Sequence, residues 1–99
     1  MKTVKFRNWD CDVRFAKYNN GRTAIKLQDK LDGEPIATAT VNLPDVMMKE
    51  DEVAIKDYSE NEGMLNAFVK AGIVGRPFMF AESGFVAIPI CKLLINPIA

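Results

Sequence analysis

Histidine is absent from all 99 residues, which removes the commonest general base and the commonest metal ligand. Most hydrolase and metalloenzyme constellations go with it. Cysteine is scarce: Cys11 and Cys91 stand 80 positions apart, in neither a CxxC nor a zinc-ligand spacing. Both are read as reduced core residues, because thiols stay reduced in the cytosol and no secretory signal precedes them. No apolar run approaches the roughly 18 residues of a membrane span, and Met1-Lys2-Thr3-Val4-Lys5 meets charge at once. A cytoplasmic chain with neither span nor signal peptide is expected. Net charge is also lacking, with 13 basic against 13 acidic side chains, so no global field draws the chain toward nucleic acid or membrane.

What is present suits one soluble domain: 48% of residues are hydrophobic and 26% charged. Residues 1–94 read as a single domain and 95–99 as a C-terminal tail. Val4 and Phe6 alternate on one face of a first strand; Cys11, Val13 and Phe15 do so in a second. Asn20-Gly21 supplies the positive φ of a tight hairpin before a third strand over Thr23 to Asp29. Asp32-Gly33-Glu34-Pro35 turns the chain again. Ile36 to Leu43 then alternates throughout, with Ala37, Ala39, Val41 and Leu43 facing one way and Thr38, Thr40 and Asn42 the other. Pro44 ends that strand, and a short one follows over Glu52 to Lys56.

Ser59-Glu60-Asn61-Glu62 fits a capping box, and Met64, Leu65, Phe68 and Val69 recur at helical spacing behind it. Gly72 supplies the left-handed residue that stops the helix. A third hairpin joins Phe78 to Ala81 with Phe85 to Ile90, and Pro89 within the last run points to an edge position or a bulge. The expected fold is α+β: a twisted, mainly antiparallel sheet of six or seven short strands, with one helix (about 60–71) packed on one face.

No catalytic constellation emerges. Asp57, Glu60 and Glu62 surround a helix start, where carboxylates meet the positive end of the helix dipole. Ser59 has no histidine to activate it, and neither thiol has the positive surroundings of a reactive thiolate. Gly72 and Gly75 flank a helix end, which is the wrong end for cradling phosphate. No catalytic residue, cofactor or metal is expected.

Charge is unevenly spread. Residues 1–30 carry eight basic and three acidic side chains, residues 31–62 two basic and nine acidic, and residues 63–99 three basic and one acidic. A polarised surface would be a charged docking face for a partner protein. The residues singled out for such binding are Trp9, Arg14, Lys17, Arg22 and Lys26 on the basic side and Glu50, Asp51 and Asp57 on the acidic side. Met47-Met48 offers either core filling or an adaptable contact. Pro77-Phe78-Met79-Phe80 is unusually apolar, and an exposed patch there would indicate a partner.

Several segments together resemble a known family: Tyr18-Asn19-Asn20-Gly21-Arg22, Asp32 to Pro44, Ile55 to Leu65, Ser83-Gly84-Phe85-Val86 and Pro89-Ile90-Cys91-Lys92-Leu93. The family comprises small uncharacterised proteins encoded by bacteriophages, plasmids and integrative elements of bacteria, and the resemblance covers most of residues 11–94. Its motifs carry no assigned chemistry. It implies a setting in which small accessory proteins often block a host defence machine, CRISPR-type nucleases included.

The leading expectation is therefore a non-catalytic protein-binding module, anti-CRISPR-like, that inhibits a host immune effector such as a defence nuclease or sensor by masking a functional surface. It would act as a monomer or homodimer. Two rivals stand beside it. One is a protein that sequesters a small molecule, such as a nucleotide, between helix and sheet. The other is a nucleic-acid-binding regulator using the Arg14 to Lys26 hairpin, a reading disfavoured by a pI of 6.2.

Overall fold

The computed structural model describes residues 2–95. Two antiparallel sheets and one short helix make an α+β fold. The first sheet has the order β1-β2-β3-β4, from Thr3–Phe6, Trp9–Lys17, Thr23–Asp29 and Pro35–Thr38. The second has the order β5-β7-β6, from Glu52–Ala54 (β5), Met79–Ser83 (β6) and Val86–Lys92 (β7). A 3₁₀ turn, Ser59–Asn61, precedes the helix α1, Met64–Lys70.

The single sheet expected from the sequence is thus two, and the cause lies in residues 36–43. That segment pairs with β3 only as far as Thr38. Ala39 then donates to the Ile25 carbonyl at 2.8 Å, while its own carbonyl accepts from Lys56 at 2.8 Å. Val41 donates to Ala54 at 3.0 Å, so the chain has crossed to the second sheet, where Thr40 bridges Ile55. At the crossing Thr40 turns inward, against the outward position its alternation gave it. Its hydroxyl accepts from the Ile25 N–H at 3.1 Å and bonds the Tyr18 hydroxyl at 2.9 Å. A side chain there replaces a ladder bond that the backbone no longer supplies.

Most of the core is one cluster. Val4, Phe6, Cys11, Val13, Ile25 and Leu27 enter it from the first sheet, Val53 and Cys91 from the second, and Met64 and Phe68 from α1, whose contacts are chiefly with β1. Ile88, Ile90, Ala54 and Ala81 form a smaller cluster in the second sheet. Ile95 packs against the main cluster, and the rest of the expected tail lies outside the described residues.

The start of the helix differs from the capping box. Ser59 sits at φ 54° and opens the 3₁₀ turn, and Gly63 at φ 97° separates that turn from α1. The helix therefore begins four residues later than expected. Two of the amides at its start go to Asp57, whose Oδ1 accepts from Gly63 at 3.1 Å and from Leu65 at 2.9 Å. The helix end follows the sequence closely. Gly72, at φ 74°, donates to Val69 at 3.1 Å and Ile73 donates to Phe68 at 3.0 Å, the bond pattern of a glycine-terminated helix.

Asn61 is buried, and its Nδ2 donates to the Thr38 carbonyl at 2.7 Å, tying the 3₁₀ turn to β4. Asn61→Ala removes that donor and strands a carbonyl. A loss of about 1–3 kcal/mol is expected in urea unfolding, with the slope unchanged.

Pro89 lies in the central strand of its sheet, in a register with β6 that runs through it without a shift, so the edge position or bulge inferred from it is corrected. Its carbonyl accepts from Ile55 at 3.0 Å, just past the end of β5. Pro89 thus joins that pairing through its acceptor alone, its missing N–H facing Ile55 beyond the end of β5.

Candidate functional site

Pro89 also fixes which backbone groups of β6 are free. Because a strand residue directs its N–H and C=O to the same side, Pro89, facing β5, forms a non-hydrogen-bonded pair with Phe80. Met79 and Ala81 consequently turn their backbones to β7, and those of Phe80 and Glu82 face outward from the open edge. Phe78, just before the strand, also donates to Ile90, the residue opposite Met79.

The same edge is apolar. Phe78 is 54% exposed, Met79 41% and Phe80 58%, and Phe85, in the turn that follows the strand, is fully exposed. Charge occurs at the strip's two ends, where Arg76 and Glu82 are both exposed. An unpaired edge carrying contiguous aromatics is a template for strand addition, and soluble proteins usually blunt such edges with lysine or a covering loop. The short apolar run was visible in the sequence. Its exposure was not, because a hairpin arm is ordinarily half buried.

The residues expected to bind a partner do not gather into two faces. Arg14 and Lys26 are direct cross-strand partners on the outer face of the first sheet, and Arg14 Nε donates to Gln28 at 3.0 Å. Lys17 and Arg22 instead line one groove together with Glu50 and Glu52, so basic and acidic segments meet there. Within it Arg22 is a structural tie: its guanidinium donates to the Leu43 and Val46 carbonyls and touches Met48 Sδ. Asp51 lies 3.6 Å from Lys92, an exposed pair of little energetic weight. Asp57 is occupied as the helix cap. Trp9 opens β2, is 43% exposed, and lines a shallow groove with Ile36, Lys56 and Glu60. The Met47-Met48 pair divides: Met48 packs on the smaller core cluster and Met47 is exposed.

A second feature was not foreseen. Between β1 and α1 opens a cleft of about 560 Å³ lined by Lys5, Arg7, Lys30 and Lys70, with Asp10 as its one carboxylate. These cations are scattered along the chain, which is why no local pattern announces them.

Both thiols are free and buried. Burial pushes Cys91 up to about 11, with the Asp57 charge adding to it, and burial followed by Asp29 and Asp10 raises Cys11. A thiol pKa raised on folding contributes stability that is complete below its unfolded value of about 9 and is lost as pH climbs toward 11. Native protein at pH 8 is expected to leave a disulfide reagent unreacted, whereas guanidinium releases both thiols. A fast native reaction would contradict this burial.

No family model, curated protein or solved structure matches this chain. No helix among the described residues is long and apolar enough to cross a membrane.

Proposed function

We propose that this chain is a non-catalytic protein-binding module of the bacterial cytoplasm, and that its docking surface is the open edge of β6. The observation that carries the reading is the coincidence of two properties on one strand and the residues flanking it: outward backbone groups at Phe80 and Glu82, and exposed side chains at Met79 and Phe80, with Phe78 before the strand and Phe85 in the turn after it. Strand addition uses both at once, the main chain giving affinity and alternate side chains giving specificity. Arg76 and Glu82 at the two ends fix the direction of a partner strand of complementary charge.

The choice of partner rests on the resemblance to proteins of phages and plasmids. It is a host immune effector, a defence nuclease or sensor, inhibited by having a functional surface covered. Titration of purified effectors of the host, CRISPR nucleases first, tests this. Inhibition that saturates at one module per effector is expected. Inhibition persisting at strongly substoichiometric dose would mean turnover, and self-association through β6 with no effector bound would remove the host protein from the account.

A further inference from the structure

We propose that the cleft between β1 and α1 is a binding site for a small, multiply charged anion of the phosphate-bearing class, independent of the β6 edge. Four cations converge on it: Lys5 from β1, Arg7 from the turn that follows, Lys30 from just past the end of β3 and Lys70 from the end of α1. Against them stands only Asp10, the cross-strand partner of Lys5. Among the described residues the ion pairs are Lys56–Glu60 and Lys92–Asp51, so none of the four is held in a direct ion pair there. In a chain of zero net charge, four cations against one carboxylate around a concavity make a locally positive field.

The cleft is also built to leave room. Gly63, Ala67 and Ala71 recur every fourth residue along its helical wall, and nothing lies within 4 Å of where a Cβ on Gly63 would stand. On the opposite wall, the register of β1 supplies donors. Lys2 accepts from Val13 at 3.0 Å, so by alternation Val4 and Phe6 also face β2, and the N–H groups of Thr3 and Lys5 face outward. Arg7 is held at φ 56°, an uncommon conformation for a long side chain, and its Nη2 donates to the Glu62 carbonyl at 3.2 Å. That bond uses one nitrogen of the guanidinium, which also lies over the Phe6 ring at 5.2 Å. Backbone donors, an arginine fork and lysine point charges are the groups that recognise phosphate oxygens. A volume of about 560 Å³ falls within the range of small-ligand clefts.

Calorimetry of the full chain with tripolyphosphate in low salt tests the proposal, with single-stranded DNA of equal charge as a second arm. Tripolyphosphate is expected to bind, about tenfold more weakly at 0.3 M salt than at 0.03 M. Lys5→Glu combined with Lys70→Glu should weaken it at least tenfold at an unchanged circular dichroism melting profile, whereas Phe80→Lys should leave it intact. Binding unaffected by the double variant would overturn the proposal. So would absence of binding, or DNA binding far more tightly than tripolyphosphate, which would make the cleft part of a backbone-tracking surface.

Discussion

Phe80→Lys is expected to weaken the complex with a host effector by about 2–4 kcal/mol, between thirtyfold and a thousandfold, while folding stability changes by less than about 0.5 kcal/mol. The two effects separate because Phe80 is exposed and sits opposite Pro89 on an open strand. Its ring does no work in either core cluster. A lysine there keeps the strand but places a hydrated charge where a partner strand would lie, the device by which natural sheet edges resist pairing. Isothermal titration with the effector reads the first effect and urea unfolding the second. Undiminished affinity would move the docking surface elsewhere on the molecule.

Arg22→Ala is expected to cost about 2–3 kcal/mol of stability, the largest loss from any single residue on the solvent side of the fold. Its guanidinium reaches from the β2–β3 turn to the carbonyls of Leu43 and Val46, pinning the connection that follows the sheet crossing. Truncation leaves two carbonyls without their charged donor and loosens the contact with Met48. Arg22→Lys should recover less than half, because an ammonium cannot span both carbonyls as the planar fork does. Unfolding midpoints of the three proteins measure this. An unchanged midpoint accompanied by lost effector binding would restore Arg22 to the docking role its charge first suggested.

Signals confined to a few residues were legible in the sequence. Asn20-Gly21 makes the hairpin, with Gly21 at φ 84° and Tyr18 donating to Arg22 at 2.8 Å. Gly72 stops the helix, and Met64 and Phe68 bury the face their spacing indicated. Where one pattern had two local solutions, tertiary structure chose between them. Ser59-x-x-Glu62 reads as a cap, yet the helix starts only after Gly63, and Asp57 takes the Gly63 and Leu65 amides instead. Ile36 to Leu43 alternates without interruption, but alternation does not say which neighbour a strand pairs with, and the segment changes sheets at Ala39–Val41.

The candidate surfaces were legible to different degrees. Phe78-Met79-Phe80 was conspicuous in composition, while its position on an open edge depends on β7 lying between β5 and β6. The cationic cleft could not be seen at all, since Lys5, Arg7, Lys30 and Lys70 meet only after β1 and α1 come together. The charge blocks that drew attention are mixed by the fold: Lys17 and Arg22 share a groove with Glu50 and Glu52.

The most direct test of the β6 account is amide hydrogen exchange, read residue by residue by NMR, on the free protein and on its effector complex. In the free protein the amides of Met79 and Ala81, directed to β7, should exchange slowly, and those of Phe80 and Glu82, directed outward, should exchange fast. Complex formation should protect Phe80 and Glu82 by at least about a hundredfold, the signature of a strand added to the edge. Protection appearing elsewhere, with Phe80 and Glu82 still exchanging at the free rate, would contradict it.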